Sequence, residues 1–195
     1  MKVLGIDHGS NMIGWGEVDT GEFIGTGRID VSSIPFPEVL KDIYEQVGAL
    51  LDEKEPEFVV LERQFIRKGV DFTGKMLVEV VGVIKLAAVY RKIEFIEIPA
   101  NTVKRIITKN GRATKNQVKV AVQQRLGLVR KLKADEADAL GLCVALPQYL
   151  AERREDFGKQ QGHSGGSPEG IAGGIGSRRR SKVKIEGDRA VLSFD

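Results

Sequence analysis

Two hydrophobic periods divide this chain. Short apolar or alternating runs bounded by glycine, proline or turn residues fall at residues 1–7, 11–20, 22–31, 57–62 and 93–98, and each reads as a strand. Asp19-Thr20-Gly21 separates the second and third and predicts a hairpin, so the first three strands form an antiparallel meander. Helical spacing takes over after the break at residues 32–37: Val39, Leu40, Ile43, Tyr44, Val47, Leu50 and Leu51 share a face, and Pro56 ends that helix. Residues 70–90 form a long helix that is apolar nearly all round, so two of its faces should be buried. Helices over 100–109 and 114–126 follow, joined by Asn110-Gly111, with Thr114 as the N-cap. A last helix covers about 134–149. This order predicts an α/β fold: a mixed five-stranded sheet with helices on both faces, plus a C-terminal extension.

Composition shifts from Glu152. Nine of the 23 glycines lie in the last 45 residues, most between Gly158 and Gly176. Such a stretch cannot bury enough surface to fold alone. The expected organisation is a core domain over 1–151, a glycine-rich linker over 152–177, and a basic tail over 178–195. The tail opens with Arg178-Arg179-Arg180 and carries hairpin-like alternation over 183–194. No apolar run reaches membrane-span length and no signal-peptide pattern opens the chain, so the expected location is the cytoplasm. The lone cysteine, Cys143, sits in an apolar run and reads as a buried, inert thiol in a reducing compartment.

Net charge of +3 says little, but its distribution changes the picture. Between Asn101 and Lys133 there are ten basic residues and no acidic one. A solvated helix face mixes both signs, so this window points to a polyanion, with nucleic acid the foremost candidate. Its candidate contacts are Lys104, Arg105, Lys109, Arg112, Lys115 and Lys119, joined by Arg67 and Lys68 from the loop that carries Phe65.

The acidic residues carry the chemistry. Asp7 and Glu62 each end an apolar run, which places a charge at the end of a central strand, where it is costly unless something positive meets it. For Asp7 a second reading is open, since Asp before a glycine turn often caps its own backbone. Asp135 and Asp138 stand three apart and share a helical face kept clear by Ala134, Ala137 and Ala139. Acidic residues also favour the first turns of a helix for structural reasons alone. Four carboxylates converging would repel one another by several kcal/mol, and a hard divalent cation with oxygen ligands, Mg²⁺ above all, removes that repulsion.

The motifs Gly5-Ile6-Asp7-x-Gly9-Ser10, Glu62-x-x-Phe65, Val103-Lys104, Lys115-x-Gln117-Val118 and Ala134-Asp135-x-Ala137-Asp138-Ala139-Leu140 stand in order over residues 1–150. In these the sequence resembles the RuvC family of Holliday-junction resolvases, within the ribonuclease H-like superfamily. The resemblance implies a catalytic tetrad of Asp7, Glu62, Asp135 and Asp138, with Lys104 and Lys115 as the active-site basic residues and Phe65 working at the junction centre. It implies two Mg²⁺ ions per site, with Mn²⁺ as a substitute, Asp7 bridging both, and hydrolysis leaving 5′-phosphate and 3′-hydroxyl ends. It further implies branched DNA as substrate and a homodimer; a branch-migration motor is a candidate partner that the sequence itself does not disclose, and the apolar helix over 70–90 offers Met76, Leu77, Val80 and Ile84 as candidate dimer contacts. His8 stands where the family pattern has proline. It is either a spectator or a second group adding pH dependence near neutrality. Three other readings compete: a nuclease for flaps, forks or structured RNA; a sugar-kinase or actin-like ATPase; and a non-catalytic junction-binding protein. The ATPase would need a second Asp-x-Gly strand turn and about twice the length, and pure DNA binding gains nothing from four carboxylates.

Overall fold

The computed structural model describes residues 1–9, 11–63, 72–161, 183–186 and 189–192. Strands β1 (Lys2–His8), β2 (Met12–Asp19), β3 (Glu22–Asp30), β4 (Phe58–Glu62) and β5 (Glu94–Ile98) form one sheet in the order β3-β2-β1-β4-β5. β1 runs antiparallel to β2 and parallel to β4, and β4 is parallel to β5, so the sheet is mixed. The β2–β3 turn uses Thr20 and Gly21, both at positive φ (48° and 89°), with Asp19 opposite Glu22. Two left-handed residues in a two-residue loop match the twist of the strands they join.

Strand alternation sorts side chains between two helical layers. On one face Leu4, Ile6, Ile13, Val59 and Leu61 pack with helices α1 (Val39–Lys54) and α2 (Phe72–Tyr90). On the other, Val3, Val18, Val60 and Ile98 pack with α3 (Ala100–Thr108), α4 (Lys115–Arg125) and α5 (Ala134–Gln161). α1 ends as expected before Pro56, where Glu55 takes a left-handed conformation and returns its N–H to the Leu51 carbonyl.

α5 lies unusually close to the sheet. A Cβ at Gly5 would stand 2.1 Å from the Ala139 carbonyl oxygen, and one at Gly14 would stand 2.5 Å from that of Asp135. Backbone thus rests on backbone, and the helix that carries two of the four candidate carboxylates is seated directly over β1 and β2. Cys143 is buried in the same seam, its Sγ 3.2 Å from the Gly16 carbonyl, and burial pushes its thiol up to about 12. It is inert.

Two expectations need correction. The last helix does not stop near Tyr149 but continues to Gln161, so residues 152–161 are helix rather than linker. The shift at Glu152 is one of polarity, and the glycines cluster only beyond the helix. Glu152 itself is anchored, receiving Arg105 Nη1 and Nη2 at 3.1 and 2.5 Å and Gln148 Nε2 at 2.9 Å. The second correction concerns α2. Val80 and Ile84 are fully buried within the chain's own core and cannot form an interface. The outward face carries Val78, Leu86, Val89 and Tyr90, exposed by 37, 57, 64 and 76%.

The chain divides into two units, Met1–Asp156 and Phe157–Asp195. In the second, β6 (Val183–Glu186) and β7 (Arg189–Leu192) pair antiparallel, with Glu186 opposite Arg189.

Candidate active site

The parallel pairing of β1 with β4 sets Ile6 beside Leu61, so the next residues, Asp7 and Glu62, end neighbouring strands on the face covered by α5. Asp7, Glu62 and Asp138 line one cleft of about 200 Å³ together with Lys104 and Lys115, over a floor of Ala100, Val103, Val118 and Leu142. Carboxylates from two strands and a helix thus meet cations from two other helices.

Lys115 owes its place to the start of α4. Thr114, in an extended conformation, accepts the Gln117 N–H at 3.3 Å, and Gln117 Oε1 accepts the Thr114 N–H at 2.9 Å. This reciprocal cap fixes Lys115 as the first helical residue. From there its Nζ donates to Asp138 Oδ2 at 2.9 Å, a bond that raises the lysine pKa and keeps it charged. Gln117→Ala should therefore weaken the helix by about 1 kcal/mol and slow the reaction at this site several-fold by loosening Lys115. Gln117→Glu, which preserves the box, should restore both. Single-turnover cleavage alongside denaturant melts checks this, and equal rates for all three proteins would contradict it.

The acids feel their confinement. Burial, then the Asp138 charge, pushes the Asp7 carboxyl up to about 7, with Glu62 and Asp135 adding to the rise and Lys115 opposing it. Glu62 is raised for the same leading reasons, against Lys115 and Lys104. A hard cation among these oxygens would relieve the strain on both, and the all-oxygen donor set suits one. Among the described residues no three carboxylates gather tightly enough to cage an ion in the present arrangement. Two of them are instead engaged by resident cations: Asp138 by Lys115, and Asp135 by Arg28, whose Nε lies 2.6 Å from Oδ2.

Of the four expected carboxylates, Asp135 alone is not a wall of the cleft; it sits over Gly14 and reaches Arg28. Among the described basic residues only Lys104 and Lys115 line it. Arg105 is forked onto Glu152, and Arg112 borders a separate depression with Asn101 and Thr102. Lys109 caps α3, and Lys119 donates to the Leu132 carbonyl. Phe65, Arg67 and Lys68 lie outside the described residues. His8 shares the side of β1 occupied by Leu4 and Ile6, opposite Asp7. Burial pushes its imidazole down to about 4, with Lys85 adding to the fall and Glu97 opposing it, so it is neutral near pH 7 and supplies no titration there. Arg28 was missed by sequence reading. Its signal was its register: Gly14 pairs with Asp7 on one side and with Arg28 on the other.

A mixed sheet whose central strand ends carry carboxylates, facing lysines across a cleft, defines a site for phosphoryl-transfer chemistry on a polyanion. The family model described as crossover junction endodeoxyribonuclease RuvC matches residues 3–146. The RuvC of Hydrogenovibrio crunogenus is 33% identical over 153 residues, covering 76% of this chain and 88% of the relative. That of Shewanella woodyi is 34% identical over 146 residues, covering 73% and 84%. In fold, the chain is similar to the structure of Thermus thermophilus RuvC in complex with a Holliday junction substrate, with a TM-score of 0.68 at 24% identity over 78% of this chain and 96% of that one. The chain belongs to the RuvC family of crossover junction endodeoxyribonucleases, which are metal-dependent nucleases.

Proposed function

We propose that this enzyme resolves four-way DNA junctions by a symmetrical pair of nicks that leave 5′-phosphate and 3′-hydroxyl ends, using two Mg²⁺ ions per site with Mn²⁺ able to replace them. The observation that carries this reading is the cleft itself, with Asp7, Glu62 and Asp138 facing Lys104 and Lys115. Asp7, Glu62, Asp138 and Asp135 are the residues that would hold the ions. When bound, the ions polarise the scissile phosphate and lower the pKa of a water. The chain's own contribution is positional. Asp7, at the sheet centre, is reachable from both sides of the cleft. Lys115 is charged, 77% exposed and aimed at the carboxylates, so it can follow the phosphate as negative charge grows on it. Lys104 adds a second positive wall that holds the strand in register. Cleavage should appear with Mg²⁺ or Mn²⁺ and vanish with a chelator, and products should accept ligation without prior phosphorylation. Ends that refuse ligation would overturn the proposed polarity.

The active form we propose is a homodimer built on the outward stripe of α2. Val78, Leu86 and Val89 are apolar and exposed on one helical face, and Gly82 between them is open. Leu86→Glu should give a monomer mass by light scattering at micromolar concentration and lose paired nicking; an intact dimer would refute this interface. Phe65 is proposed to stack on an unpaired base at the junction centre. Arg67, Lys68, Arg105, Lys109, Arg112 and Lys119 are proposed as contacts to flanking phosphates, Arg105 and Lys119 after leaving their present partners. A branch-migration motor is the proposed protein partner. No described helix is long and apolar enough to cross a membrane, and the proposed location is the cytoplasm.

Beyond Gln161, Arg178, Arg179, Arg180, Lys182 and Lys184 are proposed to act as a tethered arm for DNA outside the cleft. Truncation after Gln161 should leave cleavage intact at low salt, weaken junction binding and flatten its salt dependence. An unchanged salt slope would remove the arm.

A further inference from the structure

Asp7, Gly14 and Arg28 form one row across β1, β2 and β3, because Gly14 pairs with Asp7 on one side and with Arg28 on the other. Cross-strand partners project from the same face of a sheet. The middle position of the row has no side chain, and the gap is filled by Asp135: a Cβ at Gly14 would stand 2.9 Å from the Asp135 Cβ. Asp135 is thus seated between a carboxylate and a guanidinium. Its side chain is 19% exposed, and Oδ2 accepts from Arg28 Nε at 2.6 Å. The other donors of the guanidinium make no hydrogen bond among the described residues. The pair is close and charge-assisted, yet Arg28 remains 38% exposed.

We propose that Arg28 is an exchangeable counterion. It holds Asp135 out of the cleft until a divalent cation claims that carboxylate, and the released guanidinium then pairs with a DNA phosphate. This rests on the reading of the four carboxylates as metal ligands. The physical reasoning is a balance of charge. Before metal arrives, Arg28 and Lys115 neutralise Asp135 and Asp138, the two of the four site carboxylates that α5 carries. A dication entering the cleft competes with Arg28 for the same oxygen and is repelled by the guanidinium at close range. Once displaced, Arg28 has a planar fork with no partner and a phosphate backbone as its natural one. Metal and DNA therefore assist one another through this residue: the metal frees Arg28 for the phosphate, and a phosphate holding Arg28 leaves Asp135 open to the metal. Arg28 is a positioning residue for Asp135 in the metal-free enzyme and a substrate contact in the loaded one.

The test uses the full-length protein, with Mn²⁺ binding followed by the loss of its free spin-resonance signal, and with junction binding measured in Ca²⁺. Arg28→Gln should tighten Mn²⁺ binding without DNA by about threefold to tenfold. It should weaken junction binding in Ca²⁺ by a similar factor while leaving junction binding without divalent ions nearly unchanged. Arg28→Lys, which keeps the charge but loses the fork, should bind Mn²⁺ as the parent does. In an Asp135→Asn background the gain from Arg28→Gln should shrink, because the competition for the carboxylate is gone and only the direct charge repulsion remains. Weaker Mn²⁺ binding by Arg28→Gln would make Arg28 an orienting partner of the metal ligand and overturn the exchange. Unchanged binding would leave the pair purely structural and overturn it equally. Parent protein that binds no Mn²⁺ in the cleft would instead refute the metal reading beneath the proposal, an outcome separate from both.

Discussion

Asp7→Asn is expected to abolish metal-dependent cleavage while leaving junction binding intact or tighter. The substitution keeps the shape of the side chain and removes negative charge from the place where a phosphate must sit. Its effect on stability has a defined sign. In the unfolded chain the carboxyl titrates at 3.8, and in the folded protein, at about 7, because of burial first and the Asp138 charge second. Between those values the folded state retains a proton that the unfolded state has released, so the contribution of Asp7 to stability falls as pH rises from about 4 to about 7. Above that window the parent carries the full cost of a buried, crowded charge. The variant does not. Without metal, Asp7→Asn should therefore be more stable than the parent at about pH 8 by on the order of 4 kcal/mol, with the difference closing near pH 4. Denaturant melts at the two pH values read this directly, and a variant less stable at the higher pH would contradict the crowding. The same shift makes protons compete with the cation at Asp7, so metal affinity should climb as pH rises through about 7.

The second large effect is structural. Gly5→Val should unseat α5 and cost more than about 3 kcal/mol. Its Cβ would meet the Ala139 carbonyl oxygen at 2.1 Å and the Cys143 sulfur at 2.9 Å, and the nearer of these is backbone that no rotamer change can move. Lifting the helix carries Asp135 and Asp138 with it, so activity should vanish even where some fold survives. Gly82→Ala supplies the contrast. Nothing lies within 4 Å of its Cβ, and the exchange of glycine for alanine within α2 should stabilise by about 0.5–1 kcal/mol. Near-equal melting of parent and Gly5→Val would refute the close seating of α5.

The meander, the helix after the proline break, and the strand-end carboxylates could be read from sequence because each rests on a local pattern. Asp7 and Glu62 stand out since a charge at the end of an apolar run has few places to go. What could not be read depends on partners far along the chain. Val80 and Ile84 look no different from Leu86 and Val89 in a helix apolar all round, because periodicity loses its phase when every face is apolar. The continuation of α5 is marked by the Arg105–Glu152 pair, 47 residues apart, which composition does not reveal. The basic window has the pattern of one surface, yet Arg125 donates to the Ile106 and Ile107 carbonyls and Arg130 lies over the Phe23 ring. Arg28, on an edge strand of mixed character, gains meaning only from the register that brings it beside Gly14.

The measurement closest to the central claim is cleavage of a synthetic four-way junction, a fork, a flap and a linear duplex by the same protein, with and without Mg²⁺. Paired, symmetrical nicks in the junction, dependent on Mg²⁺ and lost in Asp7→Asn, are the expected result, with the linear duplex left whole. Cutting that proceeds without divalent metal, or that treats duplex and junction alike, would contradict the account.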